Sequence, residues 1–230
     1  MTNPTGSNAE QALYREIRAA IAERRLVPGV KLSEDALASL FDVSRARVRK
    51  VLLLLAKEHI VVQEPNRGAF VWRPSIQESL NIIEARRLIE LHMVRSAARQ
   101  ATKKQITQLR KILKDEAQAR IDQDAARVMR LSGDFHLKLG ECGNNPVLWN
   151  MLNTLVSQYY LILAVYQHRN APSCPQDDHK NIVDAIESGD PDRAARLLEG
   201  HFGHMEAELD LVEEVEPNKQ DLRDILRRQA

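Results

Sequence analysis

Residues 60–72, IVVQEPNRGAFVW, constrain the fold more than any other stretch of this chain. Two β-rich runs flank the turn residues Pro65–Gly68, which is the pattern of a β-hairpin. Three short helical patterns precede it, at about 10–25, 33–41 and 44–59. Three helices followed by a hairpin within about 65 residues predict a winged helix-turn-helix, with the hairpin as its wing.

Capping residues mark the two helices before the hairpin. Ser33 is the expected N-cap of the second helix, with Glu34 and Asp35 in the first turn, where the helix dipole favours anions. Ser44 is the expected N-cap of the third helix. The segment VPGVKL at 27–32 is interpreted only as the break that ends the first helix.

Beyond Trp72 the pattern is entirely helical. Pro74 disfavours continuation of a helix, so residues 74–76 are interpreted as a linker. Helical patterns follow at about 76–100, 103–122, 124–141, 146–168, 176–188 and 191–213, with a weaker one at 217–228. The expected fold is mainly α, with a disordered tail at 1–8, a winged helix-turn-helix at 9–73 and an all-α bundle of six or seven helices at 77–230.

Composition agrees with a helical, folded chain. Of the 230 residues, 43% are hydrophobic, enough for a sizeable core, while only 4% are aromatic and 28% are charged. Residues 1–75 hold 12 Lys/Arg against 8 Asp/Glu, and the remainder holds 21 against 24. A basic N-terminal region followed by an acidic remainder indicates that the first domain binds a polyanion.

The sequence indicates a cytoplasmic protein with no membrane partner. Its two cysteines, Cys142 and Cys174, do not form a disulfide framework for a chain of this size. The first ten residues lack the charged and apolar regions of a signal peptide, and the longest apolar run, VLLLLA, is too short to span a bilayer.

Three arginines lie within five residues at the start of the third helix, where like charges repel. In a helix that begins after Ser44, Arg45 and Arg49 share one side, with Arg47 and Lys50 nearby. The helix N-terminus adds positive charge and free N–H groups. This pattern is typical of a recognition helix that contacts guanine edges or phosphates in the major groove. A solvated basic helix end is the alternative.

The wing carries a second candidate DNA contact. Arg67 precedes Gly68 at the tip of the predicted hairpin. Glycine permits close approach of the backbone, and arginine suits the narrow, electronegative minor groove. Together with the helices, this favours DNA binding.

The segment from Ile21 to Val71 resembles the DNA-binding domain of GntR-family bacterial transcription regulators, through PG-x-x-L, VSR-x-x-VR and PNRGAFV. The resemblance implies that Arg45, Arg49, Arg67 and Gly68 contact DNA. It also implies the FadR-like architecture, in which an all-helical FCD-type domain senses a ligand and forms dimers. The chain departs from the family after VSR, where Ala46-Arg47 replaces the usual Thr-Pro or Thr-Thr and exchanges a hydroxyl for a positive charge.

Three histidines lie on inward faces of three separate helices. His136 aligns with Leu139, His179 with Ile182 and Val183, and His201 with Met205 at helical spacing. A lone histidine there is usually a core residue, but three neutral imidazoles that converge suit Zn²⁺ or Ni²⁺. His204, one turn after His201, is a candidate substitute.

The family resemblance implies a divalent metal ion on these histidines. In metal-binding FadR-like proteins the pattern Asp-x-x-Phe-His precedes two later histidines, and Phe135, His136, His179 and His201 match it. Ser132 replaces the metal-binding Asp, so a three-histidine site with open positions is expected, holding zinc, or else nickel or manganese. Asp134 points to another side of the helix.

Arg86 lies on an apolar stripe with Ile82, Ile89 and Met93 and therefore needs an anionic partner. Glu90, four residues on, is one candidate. The carboxylate of a bound effector is the other, and the resemblance implies an arginine here that reaches the ligand cavity. Arg86 and Ser132 are thus the predicted effector-binding residues.

The sequence predicts a transcription regulator and not an enzyme. Its expected partners are double-stranded DNA with a palindromic operator, a second copy of the chain, and a small carboxylate effector that controls DNA affinity. A helical metal-dependent hydrolase is one alternative, but the chain has no H-E-x-x-H motif and no nucleophile elbow. A non-specific nucleoid-type DNA binder is the other, and it would not need a large bundle with inward polar groups.

Overall fold

The computed structural model describes residues 8–167 and 176–211, which fall into two compact units. The first unit comprises residues 8–74 with 160–165, and the second comprises the other described residues from 75 onward. Asn8, predicted as the end of a disordered tail, is the first residue of a helix. The rest of that tail, Cys174 and the weak helical pattern at 217–228 lie outside the described residues.

The first unit combines three helices with a small antiparallel sheet. Its elements, in chain order, are α1 (Asn8–Ala22), β1 (Lys31–Leu32), α2 (Glu34–Phe41), α3 (Arg45–Lys57), β2 (Val61–Glu64) and β3 (Gly68–Val71). The strand order is β1-β3-β2, and β3 pairs with β2 from Val61↔Val71 to Glu64↔Gly68. A core of buried aliphatic residues holds the helices against the sheet, and it includes Leu13, Ile17, Leu37, Val48, Leu52, Leu55 and Val71.

Local signals explain where these helices begin and end. The Ser33 and Ser44 side chains accept hydrogen bonds from the backbone N–H groups of Ala36 and Arg47, so both predicted N-caps are confirmed. α1 ends at Ala22, earlier than predicted, because Arg24 adopts a left-handed conformation (φ 56°) that no α-helix continues.

Strand β1 is absent from the sequence prediction. Lys31 and Leu32 lie in the segment interpreted only as a helix break, yet they pair with Phe70 and Ala69 of β3. Two residues are too few for an alternating pattern, so the strand depends on the tertiary partner that β3 provides.

Six helices follow between residues 76 and 207 of the described chain. They are α4 (Ile76–Gln100), α5 (Lys103–Ile121), α6 (Ala125–Cys142), α7 (Pro146–Tyr166), α8 (Gln176–Glu187) and α9 (Pro191–Ala207). α4 packs against α6, α8 and α9, while α5 packs against α6 and α8. The arrangement brings inward-facing residues of α4, α5, α6, α8 and α9 to a common interior.

The helices of this second unit begin at well-defined caps. Ser75 and Thr102 form capping boxes with Glu78 and Gln105, and Asp190 caps α9 just before Pro191. α9 ends at Ala207 and not near 213 as predicted, since residues 208–211 leave the helix and Leu209 bridges to Gln167.

The mainly α fold with a small winged N-terminal unit is therefore confirmed. No helix among the described residues has the length and apolar character needed to cross a lipid bilayer.

Candidate metal centre and nucleic-acid interface

Three histidines from three helices meet inside the second unit. His136 of α6, His179 of α8 and His201 of α9 are all buried, and their ring centroids lie 4.7 to 5.4 Å apart. One ligand atom of each lies within 4.8 Å of the other two. The structure thus brings together all three of the predicted metal-ligating residues.

Each of these imidazoles contacts a carboxylate through its Nδ1 atom. The contacts are His136 to Glu90 (2.6 Å), His179 to Glu116 (3.0 Å) and His201 to Asp178 (3.1 Å). An ionised carboxylate only accepts hydrogen bonds, so a neutral imidazole in this setting carries its proton on Nδ1. The lone pair is then left on Nε2, the atom that binds metal in such carboxylate–histidine pairs.

Two of the Nε2 atoms face each other, and the third is buried without a hydrogen-bond partner among the described residues. Nε2 of His136 and Nε2 of His201 are 3.2 Å apart. Nε2 of His179 is buried and has no hydrogen-bond partner among the described residues. Facing lone pairs repel unless a proton or a cation lies between them. The arrangement therefore fits a divalent ion with three imidazole ligands and open positions.

The three carboxylates are themselves held by basic groups. Glu90 accepts from Arg86, Glu116 accepts from Arg120, and Asp178 contacts His204. His204, the candidate substitute for His201, is half exposed and contacts the same oxygen of Asp178 as His201. His204 thus contacts the carboxylate that holds His201, and it is not one of the three candidate metal-ligating histidines.

Burial sets the protonation of the inner histidines. It lowers the pKa of His136 to about 3 and the pKa of His201 to about 4, although Glu90 and Asp178 act in the opposite direction. Both imidazoles are therefore neutral near pH 7, the form that binds metal ions. Burial would raise the pKa of Glu90, but Arg86 and His136 hold it at about 2 and keep the carboxylate ionised.

α6 carries three further polar or aromatic residues close in sequence to His136. Ser132 lies one turn before His136 and is half-buried. It occupies the position at which metal-binding FadR-like proteins carry their metal-binding Asp. Phe135 stacks on His179 with ring centroids 4.0 Å apart and fixes the orientation of that imidazole. Asp134 is half-buried, and burial raises its pKa.

Arg86 is buried on α4 between two aromatic rings. Its guanidinium carbon lies 4.8 Å from the ring centroid of Tyr159 and 5.6 Å from that of Phe202. Nε donates to Glu90 at 2.5 Å, so the i,i+4 partner that the sequence offered is present.

The predicted DNA contacts of α3 lie on the surface of the first unit. Ser44 caps the helix, and the side chains of Arg45, Arg47, Arg49 and Lys50 are 51 to 69% exposed. Each basic side chain is paired with an acidic one. The pairs are Arg45–Asp35, Arg47–Glu10 (3.7 Å), Arg49–Glu34 (2.8 Å) and Lys50–Glu10 (2.9 Å).

The wing has the geometry that its sequence suggests. Arg67 is exposed in the turn between β2 and β3 and pairs with Glu64. Gly68 has φ +100°, a conformation that residues with a Cβ rarely adopt, so glycine is required there. The role of these residues in DNA binding stays a prediction.

Sequence reasoning missed two of the three carboxylates. Glu116 lies in the charged run KDEAQAR, and its helical spacing from the buried residues Leu109 and Ala119 was the only signal that it faces inward. Asp178 directly precedes His179 but contacts His201 on another helix, which no local pattern reveals.

Comparison with known families accounts for most of the chain. Residues 9–71 match the family described as bacterial regulatory proteins, gntR family. Residues 81–204 match the FCD domain, which alone covers more than half of the 230 residues.

Two characterised relatives span nearly the whole chain. The sequence is 30% identical over 222 residues to the HTH-type transcriptional repressor NanR of Escherichia coli, covering 86% of this chain and 82% of NanR. It is 27% identical over 201 residues to the HTH-type transcriptional repressor RspR of Escherichia coli, covering 87% of this chain and 88% of RspR.

Solved structures show the same fold. Escherichia coli McbR/YncC matches with a TM-score of 0.78 at 20% identity, covering 88% of this chain and 97% of that one. A GntR transcriptional regulator from Rhodococcus sp. RHA1 matches with a TM-score of 0.75 at 23% identity, covering 86% and 95%.

Proposed function

The chain belongs to the GntR family of DNA-binding transcription regulators and carries an FCD domain, and we propose that a small carboxylate bound beside a divalent metal ion controls its affinity for a palindromic operator. The matched families and relatives are transcription regulators and not enzymes, which confirms the non-enzymatic prediction. It also leaves the metal-dependent hydrolase without support.

The observation that carries the metal assignment is the convergence of one ring nitrogen from each of three buried histidines, whose Nδ1 atoms all contact carboxylates. His136, His179 and His201 would hold the ion, with zinc as the first candidate and nickel or manganese as alternatives. A bound divalent ion would supply a Lewis-acid anchor for an oxygen of the effector. Ser132 leaves that side of the site without the carboxylate that the family usually provides.

Charge balance supports an anionic effector. The carboxylates around the histidines, Glu90, Glu116 and Asp178, carry three negative charges, and Arg86 and Arg120 carry two positive ones. A divalent ion would leave the buried site with one net positive charge, which is costly without a counterion. One carboxylate per metal ion would neutralise it, and the planar guanidinium of Arg86 suits that carboxylate.

α4 is the element that would connect effector and DNA. It carries both Arg86 and Glu90 and begins at Ile76, directly after the first unit. An effector that draws Arg86 away from Glu90 would bias the position of α4. Such a ligand alters DNA affinity only if it binds the DNA-binding conformation and the alternative conformation with different affinities. The coupling free energy between two such sites is typically about 1–3 kcal/mol.

We further propose a homodimer that binds DNA through two first units. One recognition helix reads one half-site, and two-fold symmetry pairs two such units with a palindrome. Such a dimer would be the cytoplasmic, DNA-bound form of the protein.

The test begins with selection of binding sequences from a random duplex library by the full-length protein. DNA affinity is then measured with chelator, with Zn²⁺, and with Zn²⁺ plus each member of a carboxylate panel. We expect palindromic selected sequences and at least one carboxylate that changes DNA affinity only when metal is present. If every carboxylate that changes DNA affinity did so equally with chelator and with Zn²⁺, the proposed role of the metal in effector binding would be refuted.

A further inference from the structure

Glu10 pairs with two of the basic residues predicted to contact DNA. Its carboxylate lies 2.9 Å from Nζ of Lys50 through Oε2 and 3.7 Å from Nε of Arg47 through Oε1. Glu10 lies in the first turn of α1, and its side chain is only 12% exposed, whereas those of Arg47 and Lys50 are more than half exposed. The acid is thus fixed by the fold, and the two cations extend from it toward solvent.

Acidic partners change the net charge of this surface. Four cations on the first turns of α3 face three carboxylates, those of Glu10, Glu34 and Asp35. The surface therefore carries one net positive charge where the helix sequence alone suggests four. Exposed ion pairs of this kind contribute little to folding stability. Their main consequence is for the attraction of a polyanion.

We propose that Glu10 is an internal counterion that competes with DNA phosphates for Arg47 and Lys50 and so limits the affinity of the protein for DNA of any sequence. The inference rests on the proposed DNA contacts of α3. When Lys50 and Arg47 move to phosphates, the carboxylate of Glu10 loses both partners and takes up a cation from solution. This uptake offsets part of the counterion release that drives non-specific binding.

The test measures binding of the full-length protein to a short duplex of arbitrary sequence as salt is varied from about 50 to about 200 mM. We expect Glu10→Gln to bind about three- to tenfold more tightly near 100 mM salt, with a log K against log salt slope steeper by about one for each DNA-bound unit. Glu16→Gln is the matched control, because it removes the same charge from α1 but pairs with Arg25, which is not a predicted DNA contact.

A second variant locates the effect. If Glu10 acts through its partners, the gain from Glu10→Gln should shrink in a Lys50→Gln background, where only Arg47 remains to be released. An equal gain in Glu16→Gln, or an undiminished gain in the Lys50→Gln background, would overturn the proposal. So would a Glu10→Gln protein with wild-type affinity and slope. A wild-type protein that binds neither arbitrary nor selected DNA would instead refute the DNA contacts themselves.

Discussion

His136 and His201 bring their Nε2 atoms to within 3.2 Å of each other while each contacts a carboxylate through Nδ1. With the protons on Nδ1, both facing atoms carry lone pairs, and the free energy of the folded state is raised by their repulsion. A cation between them removes this repulsion and adds coordinate bonds. Metal binding should therefore stabilise the folded protein.

The first prediction concerns metal and stability. Zn²⁺ at about 100 times its dissociation constant should stabilise the protein by about 2.7 kcal/mol, because the ion binds the folded state. His179→Ala should abolish this gain, whereas His92→Ala, an exposed histidine of α4, should leave it intact. Thermal unfolding with chelator and with metal measures both. Equal metal responses of the two variants would remove His179 from the site.

The second prediction concerns the carboxylates behind the histidines. Glu116→Gln keeps a hydrogen-bond acceptor for His179 but removes the negative charge that faces its imidazole. Metal affinity should fall about 10- to 100-fold, as is usual for such partners. Calorimetric titration of the metal-free protein is the measurement, with the exposed Glu84→Gln as control. A change of less than about twofold would show that Glu116 only fills space.

The sequence was sufficient for most of the fold because the signals are local. Capping serines, Asp190-Pro191 and long apolar periodicity placed the helices from α2 to α9, and the Pro65–Gly68 turn placed the wing. The helix ends that differ, at Ala22 and Ala207, depend on a left-handed residue and on a bridge to a distant segment.

The candidate site likewise contains residues that local sequence patterns revealed and contacts that only the packed structure shows. Helical spacing placed His136, His179 and His201 on inward faces of their helices, and the family resemblance assigned them to a metal. The Glu116 and Asp178 contacts depend on how α5, α8 and α9 pack, and that information is tertiary. The Glu10 contacts with α3 are likewise invisible until α1 and α3 pack together.

The third prediction concerns pH. The pKa of His136 is lowered to about 3 and that of His201 to about 4 in the folded protein, against about 6.5 when unfolded. Below about pH 6.5 the unfolded chain therefore binds more protons than the folded one, and stability falls as pH falls. Each histidine contributes a loss of up to about 1.4 kcal/mol per pH unit until its folded pKa is reached.

Urea unfolding of the chelator-treated protein between about pH 7.5 and about pH 5 measures this loss. A His201→Gln variant should show a shallower decline, because one of the depressed groups is gone. Stability that is flat across this range in the wild type would mean that the histidines are not held neutral by burial.

The fourth prediction concerns the recognition helix. Arg49→Ala should weaken binding to selected operator DNA by about 1–3 kcal/mol and relax preference at one base position if Arg49 reads a base. Lys57→Ala, in the last turn of α3, is the matched control. In the free protein Arg49 forms a two-point ion pair with Glu34, so it exchanges a carboxylate for DNA on binding. Unchanged affinity and sequence preference would remove Arg49 from the interface.

The last prediction separates the two roles open to Arg86. Arg86→Ala is a poor test, since it would leave Glu90 buried without its cation at a cost of about 3–5 kcal/mol. Arg86→Lys keeps a positive charge beside Glu90 but removes the planar fork that a carboxylate needs. We expect wild-type metal affinity but carboxylate affinity weaker by about 1–3 kcal/mol.

The measurement is calorimetric titration of the metal-loaded protein with each carboxylate that alters DNA binding. Arg87→Lys is the matched control, because Arg87 is the neighbouring residue on α4 and pairs with Glu206 at 2.7 Å. Equal carboxylate affinity in wild type and Arg86→Lys would limit Arg86 to its pairing with Glu90. Suppose instead that the carboxylate binds Arg86→Lys more weakly but, at saturation, still changes DNA affinity as in wild type. Arg86 would then not transmit the effect of the carboxylate, and the proposed connection through α4 would be wrong.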